Sequence, residues 1–459
     1  MKNKIIDLLA AQIEGMSKED ISATIEIPPK PEMGDFAFPC FRLAKTMHKA
    51  PNMIAADIKE AIGDVDYLDR IEVKGAYLNF FVKTEVFVKS MIEAANSENF
   101  GGSDIGEGKN ICLDYSSPNV AKNFHVGHLR TTIIGNSLYK IFSKLGYNAI
   151  RINHLGDWGT QFGKLIVAYK AWGSKEAVEK DGISELMKLY VKFHEEADKN
   201  PELVDEARAW FAKMEQGDEE ALSIWQWFKD ISLVEYKRTY DLLGVDFDYY
   251  LGESFYRDKC QEVVDKITEA GLLKESEGAM IVDLSKYDMA PCIITKKDGS
   301  SIYATRDLAA IFYRKKTYNF CKCLYVTGQE QKLHFAQVFK VVELLGNEWA
   351  KDQLVHIPYG LVSLEGAKLS TRNGNIIYAE DILHDAIEKS LEIITEKSPN
   401  LENKEEVAKM VGVGSVLFND LYNQRIKDVS FSWDKVLNFD GETGPYVQYT
   451  HARCSSVVR

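Results

Sequence analysis

Residues 111–130 read ICLDYSSPNVAKNFHVGHLR, and this stretch decides the fold class. Its apolar start, 111–113, predicts a buried strand that ends at Asp114, and a polar turn with one proline follows. From 129 to 145, apolar residues recur at helical spacing, and Gly146 suits the end of a helix. A strand, a turn and a helix in this order leave backbone N–H groups free at the helix start, where a phosphate binds readily. The stretch therefore predicts an α/β fold with a phosphate-binding turn.

Length and composition set the outer limits. A chain of 459 residues with 45% hydrophobic residues has material for two to four domains. The formal net charge of -13 argues against a protein that holds nucleic acid by bulk charge, although it leaves room for local basic surface. The apolar runs are too short to span a membrane, and the first residues lack a signal-peptide pattern. We therefore expect no membrane association.

The cysteines and histidines point away from a metal. Seven cysteines are spread along the chain without a CxxC pair, which is typical of reduced thiols in a cytoplasmic protein. The nine histidines form no HExxH and no cluster with cysteine at zinc spacing. We predict no protein-bound metal and a cytoplasmic location.

The pattern along the chain predicts a doubly wound, Rossmann-like parallel-sheet catalytic domain with additions. Residues 1–105 are expected to form a small N-terminal α+β domain. Residues 106–385 are expected to form the α/β domain, with a helical insertion at about 165–290 whose first helix covers 174–199. Within the domain, 292–294 and 323–326 are predicted to be strands of parallel-sheet character, and 356–357 with 359–362 is predicted to be a further strand. Residues 386–459 are predicted to be helical.

Two histidines three residues apart lie on one side of the first helical turn. His125 and His128 could donate to phosphate oxygens, and Gly127 between them leaves the backbone open to a flat ligand. Lys122 could reach the same phosphate as a point charge. Alternatively, the histidines are a surface pair near a helix start and the lysine is simply solvated.

Other polar residues allow two interpretations each. Asp114, and Asp157 in GDWG, could bind a cationic group or could cap a turn. Tyr303 and Asp307, four apart, suit a guanidinium, although such pairs are common by chance, and Thr305 between them could cap the helix. The glycine-flanked loop 366–374 offers cations and hydroxyls, or is an ordinary surface loop. The insertion's aromatic residues at 225, 227, 228 and 236 follow helical spacing and are interpreted as core.

Several motifs together resemble one family. HVGH at 125–128 and KLSTR at 368–372 resemble the two signature motifs of class I aminoacyl-tRNA synthetases. The longer matches are to arginyl-tRNA synthetases: DYSSPNVAKNFHVGHLRTTIIGNSL (114–138), RINHLGDWGTQFG (151–163), YATRDLAA (303–310), GQEQKLHF (328–335), EGAKLSTRNGN (365–375) and GPYVQYTHAR (444–453). In the first hundred residues, GDFAFPCFRLAK (34–45) and VKGAYLNFFV (73–82) resemble that family's extra N-terminal domain.

The resemblance implies an arginine–tRNA ligase that uses ATP, with Mg²⁺ as the ATP complex, L-arginine and tRNA(Arg). It implies a monomer whose N-terminal domain contacts tRNA. By match, the residues implied to bind ATP are Lys122, His125, Gly127, His128, Lys368 and Ser370, of which Lys122, His125, His128 and Lys368 are implied to be catalytic. Those implied to contact arginine are Asp114, Ser116, Asn119, His154, Tyr303, Asp307 and Gln331. Carboxylates and an amide oxygen complement the five fixed donors of a guanidinium.

The sequence departs from the family pattern in two places. The usual late motif is KMSKS; Lys368 fills its first lysine position, but Thr371 replaces the second, and we expect Lys122 to supply the lost phosphate contact. The family's C-terminal helical domain reads the anticodon, and the sequence ends near its beginning, so most of that domain is expected to be missing. The alternatives are a truncated relative that binds arginine and ATP without charging tRNA, or another nucleotidyl transferase on the same fold.

Overall fold

The computed structural model describes residues 1–297, 302–364, 378–438 and 441–459. They divide into two compact units, Met1–Gly102 and Ser103–Arg459. None of the helices in these ranges combines the length and the apolar character needed to cross a membrane.

The first unit packs helices on a three-stranded antiparallel sheet. Its helices are α1 Lys2–Ala10, α2 Lys18–Thr24, α3 Ala44–Met47, α4 Pro51–Ile62 and α5 Thr84–Ala95, and its strands are β1 Phe36–Pro39, β2 Leu68–Lys74 and β3 Tyr77–Val82. The sheet order is β1-β3-β2. Phe38 and Phe80 from the sheet and Ile5 and Leu9 from α1 are fully buried in one core. Apolar side chains on one face of each element therefore close this unit.

The second unit contains residues 111–130. Its helices are α6 Val126–Lys144, α7 Thr160–Trp172, α8 Lys175–Asp181, α9 Ile183–Ala197, α10 Glu202–Gln216, α11 Glu219–Leu243, α12 Glu253–Tyr256, α13 Cys260–Glu269, α14 Tyr303–Tyr318, α15 Lys332–Leu344, α16 Ala350–Gln353, α17 Ala379–Lys397, α18 Lys404–Tyr422, α19 Trp433–Val436 and α20 Gly444–Val458. Its strands are β4 Asn110–Asp114, β5 Asn148–Asn153, β6 Tyr249–Tyr250, β7 Leu273–Ser276, β8 Ala279–Val282, β9 Cys292–Thr295, β10 Lys322–Gly328, β11 Leu354–Tyr359, β12 Val362–Leu364 and β13 Val429–Phe431.

The centre of this unit, in the residues that the structure describes, is a five-stranded parallel sheet. Its strand order is β11-β10-β4-β5-β6. Successive residues of β4 serve different cores, because strand side chains alternate between faces. Ile111 and Leu113 pack in one core, whereas Cys112 packs in the other, and β10 alternates likewise. Helices cover both faces, which explains why the central strands read as continuous apolar runs. The predicted doubly wound α/β class is confirmed.

Two of the sequence-based expectations about strands are wrong. Strand β9, predicted over 292–294 to be parallel, is antiparallel and belongs to the separate sheet β7-β8-β9. The further strand predicted over 356–357 and 359–362 is present as β11 up to Tyr359 but is broken at Gly360, after which β12 pairs with β13 instead of the main sheet. A Cβ at Gly360 would lie 2.5 Å from the Lys427 carbonyl carbon, so only glycine allows the chain to turn there.

Two expectations about helices also need correction. The helix expected over 174–199 is divided into α8 and α9 at Gly182, whose φ is +55°. The Glu235 carboxylate accepts a 2.6 Å hydrogen bond from the Ile183 N–H, so α9 begins on a side chain from α11. Thr305 does not cap α14; its hydroxyl donates to the Ile294 carbonyl of β9 instead.

Arg130 fixes the corner where β11 leads to β12. Its side chain is 1% exposed, and its guanidinium donates to the carbonyls of Gly360, Leu361, Lys427 and Arg425. Asp420 of α18 lies 3.4 Å from the guanidinium Nε, and burial raises the pKa of that carboxyl to about 6 despite the opposing charge of Arg130. Helix α6 is thereby tied to the segment that follows the sheet.

Candidate active site

The turn after β4 is held in an unusual backbone conformation. Ser116, Ser117 and Ala121 have φ values of 72°, 47° and 60°, in the left-handed region that non-glycine residues seldom adopt. The turn is joined to the next loop by Gly156, whose N–H donates to the Pro118 carbonyl and whose carbonyl accepts from the Val120 N–H. The loops after β4 and β5 therefore form one structure at the carboxyl edge of the sheet, where parallel α/β sheets bind ligands.

Helix α11 of the insertion supports this turn with three hydroxyl groups. The Tyr236 hydroxyl lies 2.6 Å from the Asn119 carbonyl and 2.7 Å from that of Lys122. Ser232 accepts a hydrogen bond from the Ala121 N–H at 3.0 Å, and the Tyr240 hydroxyl lies 2.7 Å from that of Ser116. The four-residue spacing of these side chains places them on one face of α11.

The two histidines of the HVGH motif close the start of α6. The His125 Nδ1 accepts from the Gly127 N–H at 3.1 Å, and the His128 Nδ1 accepts from the His125 N–H at 3.3 Å. The rings are stacked with centroids 3.9 Å apart. Burial, assisted by the charge of Lys122, lowers the pKa of both imidazoles. Because each Nδ1 is an acceptor, each neutral ring must carry its proton on Nε2, which is then a hydrogen-bond donor.

Gly127 and Lys122 complete this end of the turn. A Cβ on Gly127 would lie 2.9 Å from Cε1 of His125, so the glycine makes room for the neighbouring imidazole as well as for any ligand. The Lys122 side chain is exposed, and its positive charge acts on both histidines. The motif therefore presents two Nε2–H groups and one ammonium next to a helix N-terminus, a set of donors suited to an anion.

Asp114 lies at the other end of the turn, in contact with an arginine of the chain itself. Its Oδ2 is 2.7 Å from Nη1 of Arg314, and its Oδ1 accepts from the Ser117 hydroxyl at 3.0 Å. Nη2 of Arg314 lies 3.2 Å from Nδ1 of His154, which must accept because a guanidinium only donates. Burial lowers the pKa of His154. Arg314 thus joins the ends of β4 and β5.

Helix α14 supplies two more of the residues expected to contact arginine, Tyr303 and Asp307. Tyr303 in its first turn is 66% exposed. One helical turn later, Oδ2 of Asp307 accepts a 2.6 Å hydrogen bond from Nε2 of His334 on α15. The charges of Asp114 and Asp307 both act on His154, so the two carboxylates lie near the same imidazole. Gln331 is exposed in the 3-10 turn Gln329–Gln331, directly after β10.

Other sequence-based candidates are placed differently. Ser116 is buried, and its hydroxyl forms hydrogen bonds with the hydroxyls of Tyr240 and Thr132. Its side chain therefore stabilises the turn from the interior. Asn119 is exposed on the turn. Asp157 is fully buried, with Lys229 at 2.7 Å and both the N–H and the hydroxyl of Ser254 as donors, and is therefore an internal anchor. The late-motif residues Lys368, Ser370 and Thr371 lie outside the described residues.

Sequence reasoning missed the residues that hold the site from a distance: Arg314, His334, Ser232, Tyr236 and Tyr240. Helical spacing in the sequence would have placed Asp307 and Arg314 on one face of α14. It would likewise have placed the three hydroxyl-bearing residues of α11 on one face of that helix. Which groups they meet depends on the tertiary fold. No group of three or more metal-binding side chains occurs among the residues that the structure describes.

Comparisons with known proteins identify the family of the chain. The family model described as tRNA synthetases class I (R), catalytic domain, matches residues 91–433, and the arginyl tRNA synthetase N-terminal domain model matches residues 3–82. The arginine–tRNA ligase of Alkaliphilus metalliredigens is 59% identical over all of this chain, which covers 81% of that relative. The arginine–tRNA ligase of Clostridium perfringens is 60% identical, and the match covers 96% of this chain and 78% of that relative.

Solved structures show the same fold. Thermus thermophilus arginyl-tRNA synthetase superposes with a TM-score of 0.79 at 22% identity, covering 100% of this chain and 82% of that one. The Plasmodium falciparum arginyl-tRNA synthetase superposes with a TM-score of 0.77 at 24% identity, and the match covers 99% of this chain and 80% of that one. With two family models spanning most of the sequence and relatives at this identity, the chain belongs to the arginyl-tRNA synthetases of class I.

Proposed function

We propose that this chain is an arginine–tRNA ligase whose two substrates meet across the turn after β4. In the first step, a carboxylate oxygen of arginine attacks the α-phosphorus of ATP; the new P–O bond forms as the bond to pyrophosphate breaks. In the second, a terminal ribose hydroxyl of tRNA(Arg) attacks the carbonyl carbon of arginyl-adenylate, and AMP leaves. Both steps depend on position and charge neutralisation more than on a protein nucleophile.

The fixed tautomer of the histidine pair is the observation that carries the ATP half of this proposal. With each Nδ1 accepting a backbone N–H, both Nε2–H groups of His125 and His128 are free to donate to phosphate oxygens. Neutral imidazoles keep this geometry without taking a proton from the reaction. Lys122 adds a positive charge on the same side, and we propose that it replaces the lysine lost at Thr371. From the family motif, Lys368 and Ser370 would join them, with Gly127 against the adenosine.

The arginine half rests on carboxylates at the end of β4 and on α14. Asp307 and Tyr303 would meet the guanidinium, with the amides of Asn119 and Gln331 nearby. Asp114, Ser116 and His154 would form the inner wall of the pocket. A lysine side chain could match the charge of this site but not the two-pronged hydrogen bonding of a guanidinium, which provides the discrimination.

The remaining partners follow from the chemistry. Because the described residues form no cluster of metal-binding side chains, we propose that Mg²⁺ enters only with the phosphates of its ATP complex, as part of that substrate. We propose that residues 1–105 contact tRNA, that 106–385 carry the chemistry, and that 386–459 lead towards the anticodon-reading domain of the family. We propose that the chain acts as a monomer, and the tRNA substrate supports a cytoplasmic location without membrane attachment.

Arginine-dependent exchange between ATP and radiolabelled pyrophosphate tests this function. We expect exchange that requires arginine, is not supported by lysine, and is measured with and without tRNA(Arg), since the family usually activates arginine only with tRNA bound. Charging of tRNA(Arg) with labelled arginine tests the second step. Absence of exchange in both conditions, together with arginine and ATP binding by calorimetry, would instead establish the alternative of a binding protein that does not charge tRNA.

A further inference from the structure

Two buried cysteines lie side by side on neighbouring strands of the main sheet. Cys112 on β4 and Cys323 on β10 are partners in the parallel register, and both are 0% exposed in the same core. The thiol of Cys112 forms a hydrogen bond with that of Cys323. The reaction proposed above uses neither thiol, so two adjacent sulfur atoms in the sheet have no role in it.

The spacing of the strands suits a covalent bond between these two residues. Neighbouring strands lie about 4.8 Å apart, and the Cα atoms of disulfide-bonded cysteines lie roughly 4.4–6.8 Å apart. The side chains of both residues pack in one core, on the same face of the sheet. A disulfide requires Cβ atoms about 3.5–4.5 Å apart, slightly closer than the strand spacing. Formation of the bond would therefore draw β4 and β10 together at this point.

The surroundings of the pair favour one of the two sulfur atoms as the nucleophile. Burial raises the pKa of Cys323, but the hydrogen bond from Cys112 and the positive charge of Arg314 oppose it, and the net effect is a lowered pKa. The same hydrogen bond, followed by burial, raises the pKa of Cys112. Because the thiolate is the reactive form, Cys323 is the sulfur that attacks an oxidant, and Cys112 is the sulfur that reacts with the product.

The pair is close to the surface at the amino edge of the sheet. Cys323 is the second residue of β10, and Cys321, two residues earlier, is partly exposed. The charges of Cys321 and Cys112 both act on the ammonium group of Lys315 on α14, so these groups lie near one another. A molecule as small as a hydroperoxide therefore needs only a local opening at the start of β10 to reach the pair.

The opposite ends of the same two strands carry the proposed active site. On this face of the sheet, the next register partners after the cysteines are Asp114 and Tyr325. Asp114 is the last residue of β4, where the turn towards the histidine pair begins. With a rise of about 3.3 Å per residue, Cys112 lies roughly 7 Å from the start of that turn. A shift of the strands at Cys112 would therefore displace the turn.

We propose that Cys112 and Cys323 form a redox-modification site, where a hydroperoxide converts the two thiols into a cross-strand disulfide that reversibly inhibits arginine activation. The Cys323 sulfur attacks one oxygen of the hydroperoxide and the O–O bond breaks. The leaving alkoxide or hydroxide takes the proton of Cys323, and a sulfenic acid remains. The Cys112 sulfur then attacks the sulfenic sulfur, the S–O bond breaks, and the leaving hydroxide takes the Cys112 proton to form water. Two electrons thus pass from the thiols to the oxidant, and a thiol reductant returns them. Formation of the bond is independent of the proposed function; only its inhibitory effect rests on that function.

Peptide mapping after treatment of the full chain with hydrogen peroxide tests the bond directly. Remaining thiols are alkylated, and the protein is digested with trypsin without reduction. Trypsin releases Cys112 in peptide 110–122 and Cys323 in peptide 323–332, whereas cleavage after Lys322 leaves Cys321 in peptide 317–322. We expect the first two peptides to be linked after oxidation, and separate before it and after dithiothreitol. An ordinary packing role for the two cysteines predicts no such linked pair, and that outcome would overturn the proposal.

Pyrophosphate exchange measured on the same samples tests the inhibitory effect. Oxidation should lower kcat/KM of the wild type by about 10-fold or more, because small displacements of reacting groups are costly, and dithiothreitol should restore it. Cys112→Ala and Cys323→Ala lack one thiol of the pair and should keep their exchange activity through the same treatment. The matched control is Cys292→Ala: Cys292 is buried in the same core, but its register partner is Val282, so this variant should be inhibited like the wild type.

Three results would contradict the proposal or separate its parts. Inhibition that persists in Cys112→Ala would assign the effect to another thiol, such as the exposed Cys454, and would overturn the proposal. Linked peptides without loss of exchange would overturn the inhibitory role. Failure of the proposed function has a different signature, since the reduced wild type would then show no arginine-dependent exchange while the linked peptides still decide on the bond.

Folding of each variant is checked by circular dichroism, because a shortened side chain leaves a cavity in the core. If Cys112→Ala does not fold, Cys323→Ala provides the same comparison. If neither variant folds, the linked peptides of the wild type, and the recovery of its exchange activity with dithiothreitol, still decide.

Discussion

Removing one hydroxyl from the insertion should disturb the chemistry of the turn. In Tyr236→Phe, the Asn119 and Lys122 carbonyls lose a donor that lies 2.6 and 2.7 Å away, whereas the ring, which is 1% exposed, keeps its packing. The Asn119 carbonyl also accepts from the Lys122 N–H at 3.2 Å, so it retains one partner. The variant therefore loosens the segment that carries both a proposed arginine contact and a proposed phosphate contact.

The size of the effect follows from hydrogen-bond energetics. A hydrogen bond contributes about 0.5–1.5 kcal/mol net, and a buried acceptor left without a partner costs about 1–3 kcal/mol. If a free energy of about 1–3 kcal/mol is lost from the transition state for adenylate formation, kcat/KM decreases by roughly 5-fold to 150-fold. We expect KM for both ATP and arginine to increase, because the two contacts lie on the same segment.

The assay is pyrophosphate exchange at varied ATP and arginine, with tRNA(Arg) present, alongside urea denaturation. Tyr190→Phe is the matched control, since Tyr190 lies on α9 of the same insertion, packs against His194 and donates to no group in the described part of the chain. Kinetic constants for Tyr236→Phe within twofold of those of the control would refute the reasoning. Lower stability with unchanged kinetics would show that α11 supports the fold but not the reaction.

Two further predictions concern the same edge of the sheet. Burial lowers the pKa of both His125 and His128 from 6.5, assisted at His125 by the charge of Lys122 and at His128 by His125 and then by Lys122. The unfolded chain therefore binds more protons below about pH 6.5. The free energy of unfolding should therefore decrease as the pH decreases below that value, because unfolding then takes up protons, and a stability profile that stays flat down to pH ~5.5 would contradict this. The exchange rate should persist below pH ~6.5 and decrease only where the rings of the folded chain become protonated, since protonation turns each Nδ1 from acceptor to donor. In Gly156→Ala, the new Cβ would lie 2.2 Å from Oδ1 of Asn119. Because a side-chain end can move, the fold should persist while KM for arginine increases about 10-fold, and an unchanged KM would exclude Asn119 from the pocket.

What the sequence predicted correctly was local. The spacing of apolar residues, the position of the glycine and the polar turn are sufficient to place β4, the turn and α6. Each of these three elements depends on residues that lie within one or two helical turns of one another in sequence. A three-residue apolar run carries less information. Strand β9 was expected to be parallel, but nothing in CII distinguishes a strand buried in a parallel sheet from one paired antiparallel.

The polar contacts of the site could not be predicted in the same way. Arg314 is 200 residues from Asp114 in sequence, and His334 lies on a different helix from Asp307. Whether an aspartate at a strand end is free for a ligand depends on which internal cation reaches it, and only the tertiary fold decides that. The sequence therefore indicated which residues are candidates for the site but not which of them already have partners.

The insertion is best understood as part of the active site. Three residues of the turn adopt left-handed backbone conformations, and such positions cost of order 1–3 kcal/mol each unless the surroundings compensate. Helix α11 supplies that compensation through Ser232, Tyr236 and Tyr240, which bond to the turn at Ala121, at the carbonyls of Asn119 and Lys122, and at Ser116. A turn able to relax would separate its arginine end from its ATP end. Under the proposed function, the charged helices that interrupt the α/β domain would therefore keep the carboxylate of arginine and the α-phosphorus of ATP within reach of each other.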